Sequence, residues 1–107
     1  MAKHEHLGYD LGVFVVILTY VVDLAQIDDA LADHAAWLDQ QYAEGIFIAS
    51  GRQVPRIGGV ILTSDVPRAD LERRLSLDPF QQRNLAEYTV VEFTPTRVTE
   101  RLQQFLP

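Results

Sequence analysis

Three sets of residues in this chain have side chains suited to chemistry: His34, Asp78, and the polar group Ser50, Arg52 and Arg56 around one short connection. His34 lies in the stretch IDDALADHAAWLDQQYAEG, where Ile27, Leu31, Ala35, Leu38 and Tyr42 recur at spacings of four, four, three and four. That is the period of a helix with a single apolar stripe. At about 100° per residue, His34 falls on the margin of the stripe between Leu31 and Leu38, so an imidazole that titrates near neutral pH points toward packed neighbours rather than water. Such a histidine is either a hydrogen-bonded core residue, the commoner case, or a proton-transfer group. Asp78 precedes Pro79 and reads first as an ordinary helix N-cap. Ser50, Arg52 and Arg56 have the geometry to bind an anionic substrate, since guanidinium matches carboxylate; solvated ion pairs are the commoner use of loop arginines. Trp37 and Tyr42 read as packing rather than as stacking platforms. His4 and His6 have no third ligand nearby and read as a solvated tail rather than a zinc site.

Bulk composition narrows what these residues can serve. A chain of 107 residues, 48% hydrophobic and 22% charged, is one domain with material for a core. Cysteine is absent, which excludes disulfides, thiolate zinc sites and a cysteine nucleophile, and is compatible with a reducing cytoplasm. With a net charge of −6 and basic residues scattered singly or as Arg73-Arg74, no basic stripe exists to neutralise phosphates, so nucleic acid is not an expected partner. The longest apolar run, Leu11 to Val22, is shorter than the roughly 20 residues a membrane helix takes. Met1 to Asp10 lacks the charge pattern of a signal peptide. A soluble, untargeted, cytoplasmic protein is the expectation, with residues 1–12 an extension and 13–107 a single domain.

The elements that must position these side chains follow in order. Val13 to Tyr20 is β-branched, aromatic and apolar on both parities, the mark of a central strand. The His34 helix spans Ile27 to Gly45, with Asp28-Asp29 in its first turn and Gly45 as a left-handed cap. Ile46 to Gly51 is a second strand. Pro55 interrupts pairing in RQVPR, and Ile57 to Ser64 returns antiparallel as a third strand, the connection being too short for a parallel crossover. Gly58 and Gly59 imply a bulge or a close backbone approach. Ser64 or Asp65 caps a second helix, with Leu71 and Leu75 inside and the pairs Arg68–Glu72 and Asp70–Arg74 outside. This helix stops before Asp78-Pro79, where DPFQQRN forms a short turn. Ala86 to Thr94 is a fourth strand, with Thr89, Val91 and Phe93 on one face and Tyr88 and Val90 on the other. In the tail, Val98, Leu102, Phe105 and Leu106 suggest a short docking helix.

Right-handed crossovers around a hairpin turn this order into an α+β, ferredoxin-like βαββαβ fold, a four-stranded antiparallel sheet with both helices on one face. The first and third strands would be central, and they are the two most uniformly apolar. Two helices cover only one face, yet Val13 to Leu18, Ile46 to Ile48 and Val60 to Leu62 offer apolar side chains to both. The uncovered face is therefore expected to pack against a second copy in a homodimer.

The helix with His34, the segment Glu44-Gly45-Ile46-Phe47-Ile48-Ala49-Ser50-Gly51 and the motif Leu77-Asp78-Pro79-Phe80 resemble the YCII-related family, small dimeric α+β barrel proteins similar to muconolactone isomerase. The resemblance runs from Val13 to Thr94. It implies a site formed by a histidine of the first helix and an aspartate of an Asp-Pro-aromatic motif, here His34 and Asp78. A characterised branch of the family resembles dehydrochlorinases acting on chlorinated ring-cleavage products, so a lyase or isomerase without cofactor or metal, acting on a small carboxylated molecule, is the expectation. Ser50 and Arg52 would then contact the substrate. Two departures stand out: Gly51 is followed by Arg52 where the family often has proline, and Ala30 and Leu31 occupy the place of a basic residue one turn before the histidine. An imidazole next to a carboxylate suits proton transfer, because the acid fixes the tautomer and stabilises the imidazolium. The alternative function is a non-catalytic dimer that binds a small ligand or a protein partner through the same cleft.

Overall fold

The computed structural model describes residues 11–106. Its elements are β1 (Leu11–Tyr20), α1 (Leu24–Ala43), β2 (Phe47–Arg52), β3 (Gly58–Thr63), β4 (Val66–Pro67), α2 (Arg68–Leu75), α3 (Pro79–Gln82) and β5 (Ala86–Phe93), followed by a 3₁₀ turn at Glu100–Leu102. All pairings are antiparallel. β1 is central, with β5 along one edge and β3 along the other, and β2 lies outside β3. The short β4 pairs with the start of β1 at Leu11 and Gly12. This is the expected ferredoxin-like topology with one strand added: Val66 and Pro67 make a two-residue ladder, too short to leave a period in the sequence.

Side-chain parity divides the sheet into two faces. Phe14, Val16 and Leu18 of β1 and Ile61 of β3 are buried against Ile27, Ala30 and Trp37 of α1, Leu71 and Leu75 of α2 and Phe80 of α3 in one core cluster. Both long helices therefore cover the same face. On the other face, Leu62 is opposite Val15, which is opposite Val91; Val60 is opposite Ile17; and Val13 is opposite Phe93. Val60, Val91 and Phe93 are exposed there, an apolar surface over which no helix lies among the described residues.

α1 differs from its sequence reading in two ways that bear on the site. It begins at Leu24, one turn earlier, because the side chain of Asp23 accepts from Gln26 N–H at 3.2 Å and caps it; no acid occupies the first turn. The buried stripe is also rotated: it runs through Ile27, Ala30, Trp37 and Gln41, whereas Leu31 and Tyr42 are 43% and 39% exposed. His34 thus lies at the centre of the packed face, not on its margin. Gln41 is buried although polar, since its amide donates to Trp37 O at 3.2 Å and its carbonyl accepts from Arg74 at 2.8 Å. Trp37 Nε1 donates to Arg74 O at 3.1 Å, which ties α1 to the end of α2.

The turns explain the rest. Gly45 has φ of 74°, the left-handed cap expected of it. Gly58 pairs regularly with Thr19, and a Cβ there would lie 1.7 Å from Leu18 O, so the close approach holds. The bulge lies in β2, between Phe47 and Ala49. α2 is preceded by Pro67 with no side-chain cap, while the Ser64 hydroxyl instead donates to Gly45 O at 2.7 Å. In the tail, the docking helix is replaced by a single 3₁₀ turn that leaves Leu102 and Phe105 exposed. His4 and His6 lie outside the described residues.

Candidate active site

Asp78 caps α3 and is fully buried. Its Oδ1 accepts from Phe80 N–H at 3.0 Å, the N-cap bond expected of an aspartate before proline. The same Oδ1 lies 2.7 Å from Nδ1 of His34, and Oδ2 accepts from the hydroxyl of Tyr88 on β5. The ordinary helix cap is therefore also the carboxylate on which α1, α3 and β5 converge.

The His34 side chain is 11% exposed. Its ring lies flat on that of Phe80, with centroids 3.9 Å apart and planes 2° from parallel, and Trp37 sits 5.6 Å away. A carboxylate oxygen at Nδ1 makes that nitrogen the donor, which leaves Nε2 as the basic one. Burial, followed by the charge of Asp78 and the hydrogen bond to it, pushes the Tyr88 phenol far above its ordinary range, so the hydroxyl stays protonated and donates.

His34 and Phe80 form one wall of a cleft of about 210 Å³. That is smaller than the roughly 300–1,000 Å³ of pockets for drug-sized ligands, so the cleft suits a small molecule. Leu18 and Ile61 contribute from the sheet, Leu31 and Leu38 from α1, and Tyr20 from the end of β1, an apolar lining. Ser50, Arg52 and Arg56 line the cleft from β2 and the β2–β3 connection. β2 is paired so that Ser50 is opposite Ile61 and Arg52 opposite Gly59, which places both on the helix-covered face. Ser50 Oγ is 2.6 Å from the hydroxyl of Tyr42. Arg56 is bound to Asp28 at 2.6 Å. Arg52 has no side-chain hydrogen bond or ion pair among the described residues, so of the two guanidiniums it is the uncommitted one.

Of the side chains singled out in the sequence, His34, Ser50, Arg52 and Arg56 thus border one cleft, and Asp78 supports its wall through His34. Tyr88 was not among them. Its signal was a phenol on the inward parity of β5, the same face as Val90, ten residues after the aspartate. Phe80 was seen only as part of a motif, and nothing in the sequence announced that its ring would stack on the imidazole. Among the described residues, no group of His, Asp or Glu is arranged to hold a metal ion, and no helix is long and apolar enough to cross a membrane.

A ferredoxin-like sheet with helices on one face, and a His–Asp contact at the edge of an apolar cleft, define a small α+β protein with a pocket suited to a compact ligand. Residues 13–94 match the YCII-related domain, and the chain belongs to that family. Its structure is similar to that of 5-chloro-2-hydroxyhydroquinone dehydrochlorinase from Burkholderia phenoliruptrix in complex with 2,5-dihydroxybenzoquinone, with a TM-score of 0.66, 16% identity, and coverage of 76% of this chain and 92% of the other. It is also similar to SnoaB, a cofactor-independent oxygenase from Streptomyces nogalater, with a TM-score of 0.49, 18% identity, and coverage of 85% and 98%. At 16% identity the likeness to the dehydrochlorinase is one of fold. No curated protein matches the chain.

Proposed function

We propose that this protein is a cofactor-independent lyase or isomerase of a small carboxylated organic molecule, with His34 as general base and Asp78 as its orienting partner. The observation that carries this reading is the 2.7 Å contact between Nδ1 of His34 and the buried carboxylate of Asp78, beside a cleft that His34 itself lines. In the proposed reaction, Nε2 removes a proton from a carbon next to a carbonyl group. The electron pair left behind forms a carbon–carbon double bond as a leaving group such as chloride departs, or the imidazolium returns the proton to a different carbon. Asp78 stabilises the imidazolium between these steps, and a positioned base of this kind contributes about 10²- to 10⁴-fold in rate. Arg52 and Ser50 hold the substrate's anionic group. The chemistry of the dehydrochlorinase with the similar fold, and the small ring bound in it, agree with a compact substrate.

The working form is a homodimer in the cytoplasm, joined through the uncovered sheet face around Val60, Val91 and Phe93, where an obligate interface would bury about 2,000 Å² or more. Val91→Lys should shift the sedimenting species from dimer to monomer; a wild type that sediments as a monomer at micromolar concentration contradicts the assembly. The reaction is tested by screening unsaturated carboxylates, lactones and chlorinated ring-cleavage acids for elimination or isomerisation, first with the wild type and then with His34→Gln. Turnover that survives the substitution undamaged removes His34 from the mechanism.

A further inference from the structure

Asp78 has more partners than a dyad requires. It is fully buried, and its Oδ1 already serves both Phe80 N–H and His34. Oδ2 would be left facing the protein interior without a donor if the Tyr88 hydroxyl were removed, and a buried carboxylate oxygen without a donor is costly. Tyr88 approaches from β5, whereas His34 comes from α1 and Phe80 from α3, so the carboxylate is held from three elements and cannot rotate about its terminal bond without breaking a contact. Tyr88 itself is half-buried, packed against the core, and is not part of the cleft lining.

We propose that Tyr88 is a positioning residue of this site: its hydroxyl fixes the plane of the Asp78 carboxylate so that Oδ1 meets Nδ1 of His34, and it sets how strongly that carboxylate draws a proton onto the imidazole. This rests on the His34–Asp78 reading for its catalytic meaning, but not for its physical test. A donor on Oδ2 disperses part of the negative charge. Without it, the bare carboxylate gains more from an adjacent imidazolium, so proton uptake by the pair becomes more favourable. The other ionisable groups that line the cleft with the imidazole are Tyr20 from β1, Arg52 from β2 and Arg56 from the β2–β3 connection, the last neutralised by Asp28 of α1. None of them touches Asp78.

The experiment is nitrogen-resolved NMR of the His34 ring across pH in the free protein, with the wild type, Tyr88→Phe, and a fluorinated tyrosine at position 88 that keeps the shape but donates more strongly. The expected result is that Tyr88→Phe moves the transition of the His34 signals to higher pH and speeds solvent exchange of its Nδ1 proton, while the fluorinated residue moves the transition to lower pH. If Tyr88→Phe does not fold well enough to titrate, the opposite shift from the fluorinated residue carries the test alone. Unchanged ring signals and exchange in the folded variants overturn the proposal and leave Tyr88 as packing. Turnover separates this proposal from the reaction on which it rests. If His34→Gln retains full activity while the Tyr88 variants still move the signals, the base assignment is wrong and the positioning role stands.

Discussion

The two walls of the cleft are built on opposite terms. On the α1, α3 and β5 side, both oxygens of Asp78 are engaged, the imidazole is clamped between a carboxylate and the ring of Phe80, and little of it meets water. On the β2 and β3 side, Ser50 and Arg52 are exposed, Ser50 leans on Tyr42, and Arg56 is tied to Asp28 at the surface. In the proposed reaction the first wall would act as preorganised chemistry, its groups fixed before a ligand arrives so that they need not reorganise during proton transfer. The second would serve recognition, with an uncommitted guanidinium on a strand end that can adjust to what it binds.

The contrast is broken most severely at Asp78. Asp78→Ala deprives Tyr88, Phe80 N–H and His34 of their shared acceptor at a buried position, and should lower stability by about 2–5 kcal/mol, read as a lower midpoint in urea unfolding. Asp78→Asn preserves shape but places an amide where a charge was; kcat should fall about 10²- to 10⁴-fold with the fold intact, as measured by steady-state turnover alongside circular dichroism. On the opposite wall, Arg52→Gln should leave stability unchanged and raise KM about 10- to 100-fold with kcat nearly constant, the pattern of lost uniform binding. A fall in kcat equal to the rise in KM would show that the hairpin side also takes part in the chemical step. The smallest effect belongs to Arg56→Gln: its guanidinium is already satisfied by an exposed acid, so melting temperature should hold and KM should change less than with Arg52→Gln. Equal effects from the two arginines would erase the distinction between free and committed cation.

How legible these walls were in the sequence differs for the same physical reason. Strand parity and turn residues are local, and they placed β1, β2, β3 and β5, the Gly45 cap and the close approach at Gly58 correctly. The phase of the buried stripe on α1 is decided by partners elsewhere in the chain. Gln41 is inward because Arg74 and the Trp37 carbonyl satisfy its amide, and that satisfaction is invisible in a count of apolar residues. Once Gln41 and Ala30 define the inner face, His34 moves from margin to centre. Likewise, β4 is fixed by pairing with the start of β1 rather than by its own two residues, and the helical spacing of the tail did not produce a helix because its apolar residues found little core to dock against. The site followed the same division. The Asp-Pro-aromatic motif located the carboxylate, but only the sheet's cross-strand register brings Tyr88 beneath it.

The central claim, that the buried pair makes Nε2 of His34 a working base toward a small carbon acid in the cleft, can be met without knowing the natural substrate. Carboxylated lactones and unsaturated acids dissolved in deuterium oxide lose protium next to their carbonyl groups when a base in contact with them removes the proton, exchanges it with solvent and returns a deuteron to the carbon, and proton NMR follows the loss directly. Exchange should accelerate with the wild type for acids small enough to enter the cleft, and fall by at least about 100-fold with His34→Gln. Exchange that His34→Gln sustains at the wild-type rate would contradict the claim.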